Sequence, residues 1–129
     1  MTDDAVPAAR YRMGAGTLVV SCVFAFLVGG AAGLITTFTH AQLPPWGLVA
    51  GLAIAAALVL GFRLVFDSRV VAAVAGGGFV AGTVLLNIPT GGAPILALDG
   101  WTGWLWAVGP AVLALAAALP RWPERPSRR

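Results

Sequence analysis

Four long apolar runs, with arginines only near the ends that would share one side of a membrane, leave this chain few folds to choose from. The runs cover about residues 14–37, 47–66, 70–88 and 101–119. A hydrocarbon core about 30 Å thick takes about 20 helical residues to cross, and each run reaches or approaches that length. None of them alternates apolar and polar residues, so the strands of a membrane barrel fit poorly. Only 10% of the 129 residues are charged and 59% are hydrophobic. A soluble domain carries about 25% charged residues, so this chain lacks the side chains to clothe a water-facing surface. The expectation is an all-α integral membrane bundle of four transmembrane helices. It forms one domain over residues 14–119, between an N-terminal tail, 1–13, and a basic C-terminal tail, 120–129.

The eight basic side chains, all arginine, orient that bundle. Arg10 and Arg12 precede the first run, Arg63 and Arg69 flank the junction of the second and third, and Arg121, Arg125, Arg128 and Arg129 follow the fourth. The connections 38–46 and 89–100 contain no Arg or Lys. The positive-inside rule then places both termini and the middle turn in the cytoplasm, as expected of a multi-pass protein of a bacterial cytoplasmic (plasma) membrane. Aromatic residues agree: Tyr11 and Trp122 fall at the inner interface, and Trp46, Trp101 and Trp104 at the outer one. The first run exceeds a signal-peptide core of about 7–15 residues and is expected to stay as a span. The net charge of +3 forms no stripe along a polar face, which argues against nucleic acid as a partner. Anionic lipids of the inner leaflet are the expected counterpart of the arginines.

Small residues recur at helical spacing. Span one carries Ala25, Gly29 and Gly33, span two Gly47, Gly51 and Ala55, and span three Gly78 and Gly82. Lipid is as apolar as leucine, so close backbone approach, not Leu burial, drives helix association in a membrane. These faces either hold the four helices together or receive another membrane subunit or a second copy of the chain. Gly109–Pro110 interrupts span four, where Pro removes a backbone donor and favours a bend.

Candidates for chemistry are few. Arg63 is the one charge inside a run. It sits near the inner interface with Asp67 four residues on, a spacing that allows an ion pair on one helical face. With Arg69 these residues form either an interfacial anchor or a site for a lipid phosphate or a partner's carboxylate. His40, Asn87 and Asp99 fall on the outer side, where proton transfer or quinol binding would need them to converge. A site combining His40, Asp99 and Arg63 would need all three to line one cavity. Cys22 is the only cysteine and His40 the only histidine, so no intramolecular disulfide and no multi-ligand Cys/His metal site is expected. No catalytic residue and no cofactor is expected either. No acidic residue lies in mid-span, the usual mark of a proton-coupled transporter. The expected function is that of a non-catalytic accessory or stabilising subunit of a larger membrane complex. The alternative is a small oligomeric transporter or channel, for which only Ser21, Cys22 and the threonines at 36, 37 and 39 offer polar atoms.

The stretch Gly61–Phe62–Arg63–Leu64, then Ser68–Arg69, a small-residue third span, a Pro/Thr/Gly turn, and Trp104–Leu105–Trp106 before Leu119–Pro120 carries a resemblance. The chain resembles a family of small actinobacterial four-span membrane proteins of unknown function. The likeness runs from about span one to Pro120. It implies a bundle in the cytoplasmic membrane and brings neither an activity nor site residues. Where that family has an acidic turn after span three, this chain has Pro89–Thr90–Gly91–Gly92.

Overall fold

The computed structural model describes residues 13–42, 45–88 and 100–120. Both tails (but for Met13 and Pro120) and most of the connection 89–100, with Tyr11, Trp122 and Asp99, lie outside the described residues. Four helices account for nearly all of the described chain: α1 Ala15–Gln42, α2 Trp46–Phe66, α3 Arg69–Leu85 and α4 Gly100–Ala118. No strand occurs among the described residues. Three of the helices, α1, α2 and α4, are long and apolar enough to cross a membrane. The shorter apolar helix α3 has 17 residues, about 25 Å of rise, and packs within the same bundle.

The helix ends follow local chemistry. Helix α1 runs past the expected end of its apolar run at Thr37 because its threonines turn inward on their own helix. Thr36 Oγ1 donates to Ala32 O (2.7 Å), Thr37 Oγ1 to Gly33 O (2.7 Å) and Thr39 Oγ1 to Thr36 O (3.0 Å). A hydroxyl satisfied by the preceding turn has no unmet polarity to carry to an interface, so the helix continues. Between α2 and α3 the chain reverses over two residues. Asp67 takes a left-handed conformation (φ 45°) that ends α2, and Ser68 caps α3 by accepting from Val71 N–H (3.4 Å). Helix α3 closes at Leu85, short of the expected Ile88. Asn87 N–H bonds back to Val84 O (2.9 Å), and the Asn87 amide donates to Thr83 O (3.0 Å). Helix α4 continues unbroken through Pro110.

Helix α3 touches all three others, as does α2, whereas α1 and α4 do not meet. The bundle is therefore a diamond in cross-section with α2 and α3 across the short diagonal. Its most extensive packing is α1 on α3, two helices that run in the same direction, rather than either sequential hairpin. The physical reason lies in the glycines. A Cβ on Gly29 would strike Ala75 O, and one on Gly33 would strike Phe79 O; in return, Gly78 faces Phe26 O and Gly82 faces Gly30 O. Backbones meet directly, so one Cα–H of each glycine points at a carbonyl oxygen across the interface, the geometry of weak Cα–H···O contacts.

The other half of the bundle is held by larger side chains. Trp106, 1% exposed, lies edge-on to Phe79 with ring centroids 6.2 Å apart, and Leu48 and Ala55 complete that cluster. Gly51 is where it is because the Trp106 ring occupies the space a Cβ would take. Nearer the α2–α3 turn, Val59, Ala72 and Ala117 knit α2, α3 and α4 together, while Gly76 admits Ala114 and Val59.

Candidate functional site

Arg63 lies one turn before the end of α2, and its side chain reaches across to α4. Nη1–H donates to Ala117 O (2.7 Å) and Nη2–H to Leu119 O (3.4 Å). These carbonyls lie at the C-terminal end of α4, where helix oxygens lack intrahelical donors and carry partial negative charge. The guanidinium therefore serves as a cap borrowed from a neighbouring helix. The expected ion pair with Asp67 is not formed. Asp67 is exposed and lies beyond the helical part of α2 with left-handed φ, so the i,i+4 geometry that pairing needs is lost. Arg69 is exposed at the first position of α3 and joins neither contact.

His40 does not share a site with Arg63: by its backbone it belongs to the C-terminal end of α1, whereas Arg63 belongs to the C-terminal end of α2, so the two lie at opposite ends of the bundle. The His40 side chain and all of Asp99 lie outside the described residues. Asn87 is placed, and its amide closes the last turn of α3. Among the described residues no group of three or more His, Cys, Asp or Glu side chains comes together as metal ligands would.

Of the two readings of the small-residue faces, packing within the bundle or reception of a partner, the positions of the glycines fit the first. Gly29, Gly33, Gly47, Gly51, Gly78 and Gly82 are all buried. Gly29, Gly33, Gly78 and Gly82 form the α1–α3 contact, and Gly51 seats Trp106. Reading glycine spacing alone could find such faces but could not tell which helix fills them.

Furrows mark the outside of the described helices, and three of them bear on function. One, about 470 Å³, separates α1 from α2 and is walled by Phe24, Val28, Leu58, Phe62, Val65 and Phe66. Phe62 stacks on Phe66 at 5.7 Å between ring centroids. A second, also about 470 Å³, follows the α1–α3 seam with Gly30, Ala31 and Ala81 in its floor and Phe26, Leu34 and Leu85 beside them. The third, about 180 Å³, lies between α2 and α4 over Ala56, Val59, Leu113 and Ala116, with Arg63 in its lining. Sequence reasoning missed these furrows, because each is made by two helices whose adjacency periodicity does not encode.

The chain matches no family model, no curated protein and no solved structure.

Proposed function

We propose that this chain is a non-catalytic, multi-pass protein of a bacterial cytoplasmic membrane, with both termini in the cytoplasm, that serves as an accessory or stabilising subunit of a larger membrane complex. The observation that carries this reading is how the polar atoms are used. Thr36, Thr37 and Thr83 each return their hydroxyl to their own helix, and Arg63 binds the end of α4. What is left facing outward is apolar and grooved: the two larger furrows are lined by apolar residues throughout. Such a surface suits another helix or a lipid chain. A small oligomeric transporter or channel, the competing reading, needs polar atoms turned toward a solute path, and those threonines point the other way. The resemblance to small actinobacterial four-span proteins supports the same cellular setting and adds no activity.

The test is recovery of the tagged protein from its native membrane in mild detergent, followed by mass spectrometry. The glycines are poor probes of a partner because substituting them disrupts the bundle itself. Ala57→Trp and Ala81→Trp are better, since both residues are exposed and each lines one of the large furrows. The expected result is a stoichiometric partner that one of these variants loses while the protein stays monodisperse. Recovery of the chain alone, or solute flux in proteoliposomes, would overturn the accessory-subunit reading.

A further inference from the structure

The furrow between α2 and α4 differs from the other two in having a cation in its lining. Arg63 is half-buried, and beside it the furrow continues over Ala56 and Ala116 as a narrow apolar slot of about 180 Å³. We propose that this furrow is a specific site for an anionic phospholipid, with the phosphate on Arg63 and one acyl chain in the slot.

Four observations point the same way. The first is donor count. A guanidinium has five N–H groups, and α4 takes two of them. The bond to Leu119 O is long, at 3.4 Å, and solvent-exposed, so the outer edge of the fork remains open to a stronger acceptor. The second is aim. Anchoring to the α4 carbonyls fixes a side chain that would otherwise sample many rotamers, and a planar fork held in place suits phosphate oxygens. The third is depth. Arg63 lies three residues before the end of α2, about 4.5 Å along the axis, so its long side chain reaches headgroup level in a helix that crosses the bilayer. The fourth is chemistry: the furrow sets one cation beside an apolar lining of Ala56, Val59, Leu113 and Ala116, the pairing that a headgroup phosphate and the upper part of an acyl chain require. Arg69 adds positive charge to the same end of the bundle, and Arg121 follows Leu119 by two residues. The two larger furrows have no charged residue in their linings and offer no headgroup selectivity.

The experiment is native mass spectrometry of the full chain released from nanodiscs containing equal phosphatidylglycerol and phosphatidylcholine. The wild-type protein is expected to retain one phosphatidylglycerol per chain in preference to phosphatidylcholine. Ala116→Phe fills the slot from an exposed position and leaves Arg63 in place. It is expected to lower the retention of bound lipid. Arg63→Gln is expected to lower phosphatidylglycerol retention by about five-fold, the effect of one cationic contact near an anionic surface. Ala53→Phe, at an exposed α2 position outside all three furrows, should change nothing. Equal retention of the two lipids by the wild type would overturn the proposal. So would unchanged retention in a folded Ala116→Phe protein, which does not depend on how Arg63→Gln folds. A dimer that Ala116→Phe abolishes would assign the furrow to a second copy instead.

Discussion

The carbonyl oxygen of Ala75 on α3 stands where a Cβ on Gly29 of α1 would be. The relationship is reciprocal along the seam, since Gly78 and Gly82 of α3 admit the carbonyls of Phe26 and Gly30. Two glycine pairs at four-residue spacing, on two parallel helices, thus make inside one chain the contact that small-xxx-small motifs make between chains.

Replacing Gly29 or Gly82 by Ala should cost about 1–3 kcal/mol, because the obstruction is backbone and cannot rotate away. Gly61→Ala and Gly77→Ala meet nothing within 4 Å and should be neutral or gain up to about 1 kcal/mol. Unfolding in mixed detergent micelles, followed by circular dichroism, separates the two classes. Equal effects at all four positions would refute the seam.

Gly51 and Trp106 should behave as a coupled pair. Gly51→Ala drives a methyl into the far edge of the indole, and Trp106→Phe removes that edge. A double-mutant cycle should give a coupling of about 0.5–3 kcal/mol, with the double variant more stable than the sum of the singles predicts. Strict additivity would place the ring elsewhere.

Arg63→Ala should lower stability by roughly 1.5–3 kcal/mol at most, the range for hydrogen bonds to a charged donor, with partial exposure favouring the low end. Arg63→Lys should recover only part, because one ammonium nitrogen lacks the planar reach by which two guanidinium nitrogens each meet a carbonyl. The diagnostic readout is hydrogen exchange in the last turn of α4, which should quicken in Arg63→Ala while the rest of that helix is unchanged.

Asp67 matters for its backbone and not for its charge. Asp67→Asn should leave stability unchanged, and Asp67→Gly should gain up to about 1 kcal/mol by relieving a non-glycine φ of 45°. A loss in Asp67→Asn as large as that in Arg63→Ala would restore the ion pair between the two residues.

Orientation can be read in a Cys22→Ala background. A cysteine replacing Ser127 should react with an impermeant maleimide only from the cytoplasmic side, and one replacing Thr90 only from the outside. The opposite pattern would invert the assignment made from the arginines.

The four helices were legible because length and apolarity alone define them, and the starts at Trp46, Arg69 and Gly100 fall within one residue of expectation. The C-terminal limits of α1 and α3 were less so. Thr36 and Thr37 count as polar in a sequence but satisfy themselves on their own helix, while Asn87 folds back on Thr83 after α3 has closed. Helix order was not legible. Glycine periodicity marks Gly29 and Gly33 as a contact face, yet nothing local says that the face meets α3 before α2. For the candidate site, the position of Arg63 was evident and its partner was not. Four-residue spacing pointed to Asp67, and the acceptor came instead from a carbonyl 54 residues away.

The seam between α1 and α3 also bears on biogenesis. Spans leave the ribosome in order, so α1 enters the bilayer well before the helix that its glycines fit. Until α3 arrives, Gly29 and Gly33 face lipid or α2, with neither offering the backbone-to-backbone contact. A nascent chain ending at Phe66 should therefore remain a loose pair of helices open to proteases or insertase factors. The commitment to a bundle comes with the third helix, the shortest of the four, whose delivery closes the seam and completes the surface on which α4 settles.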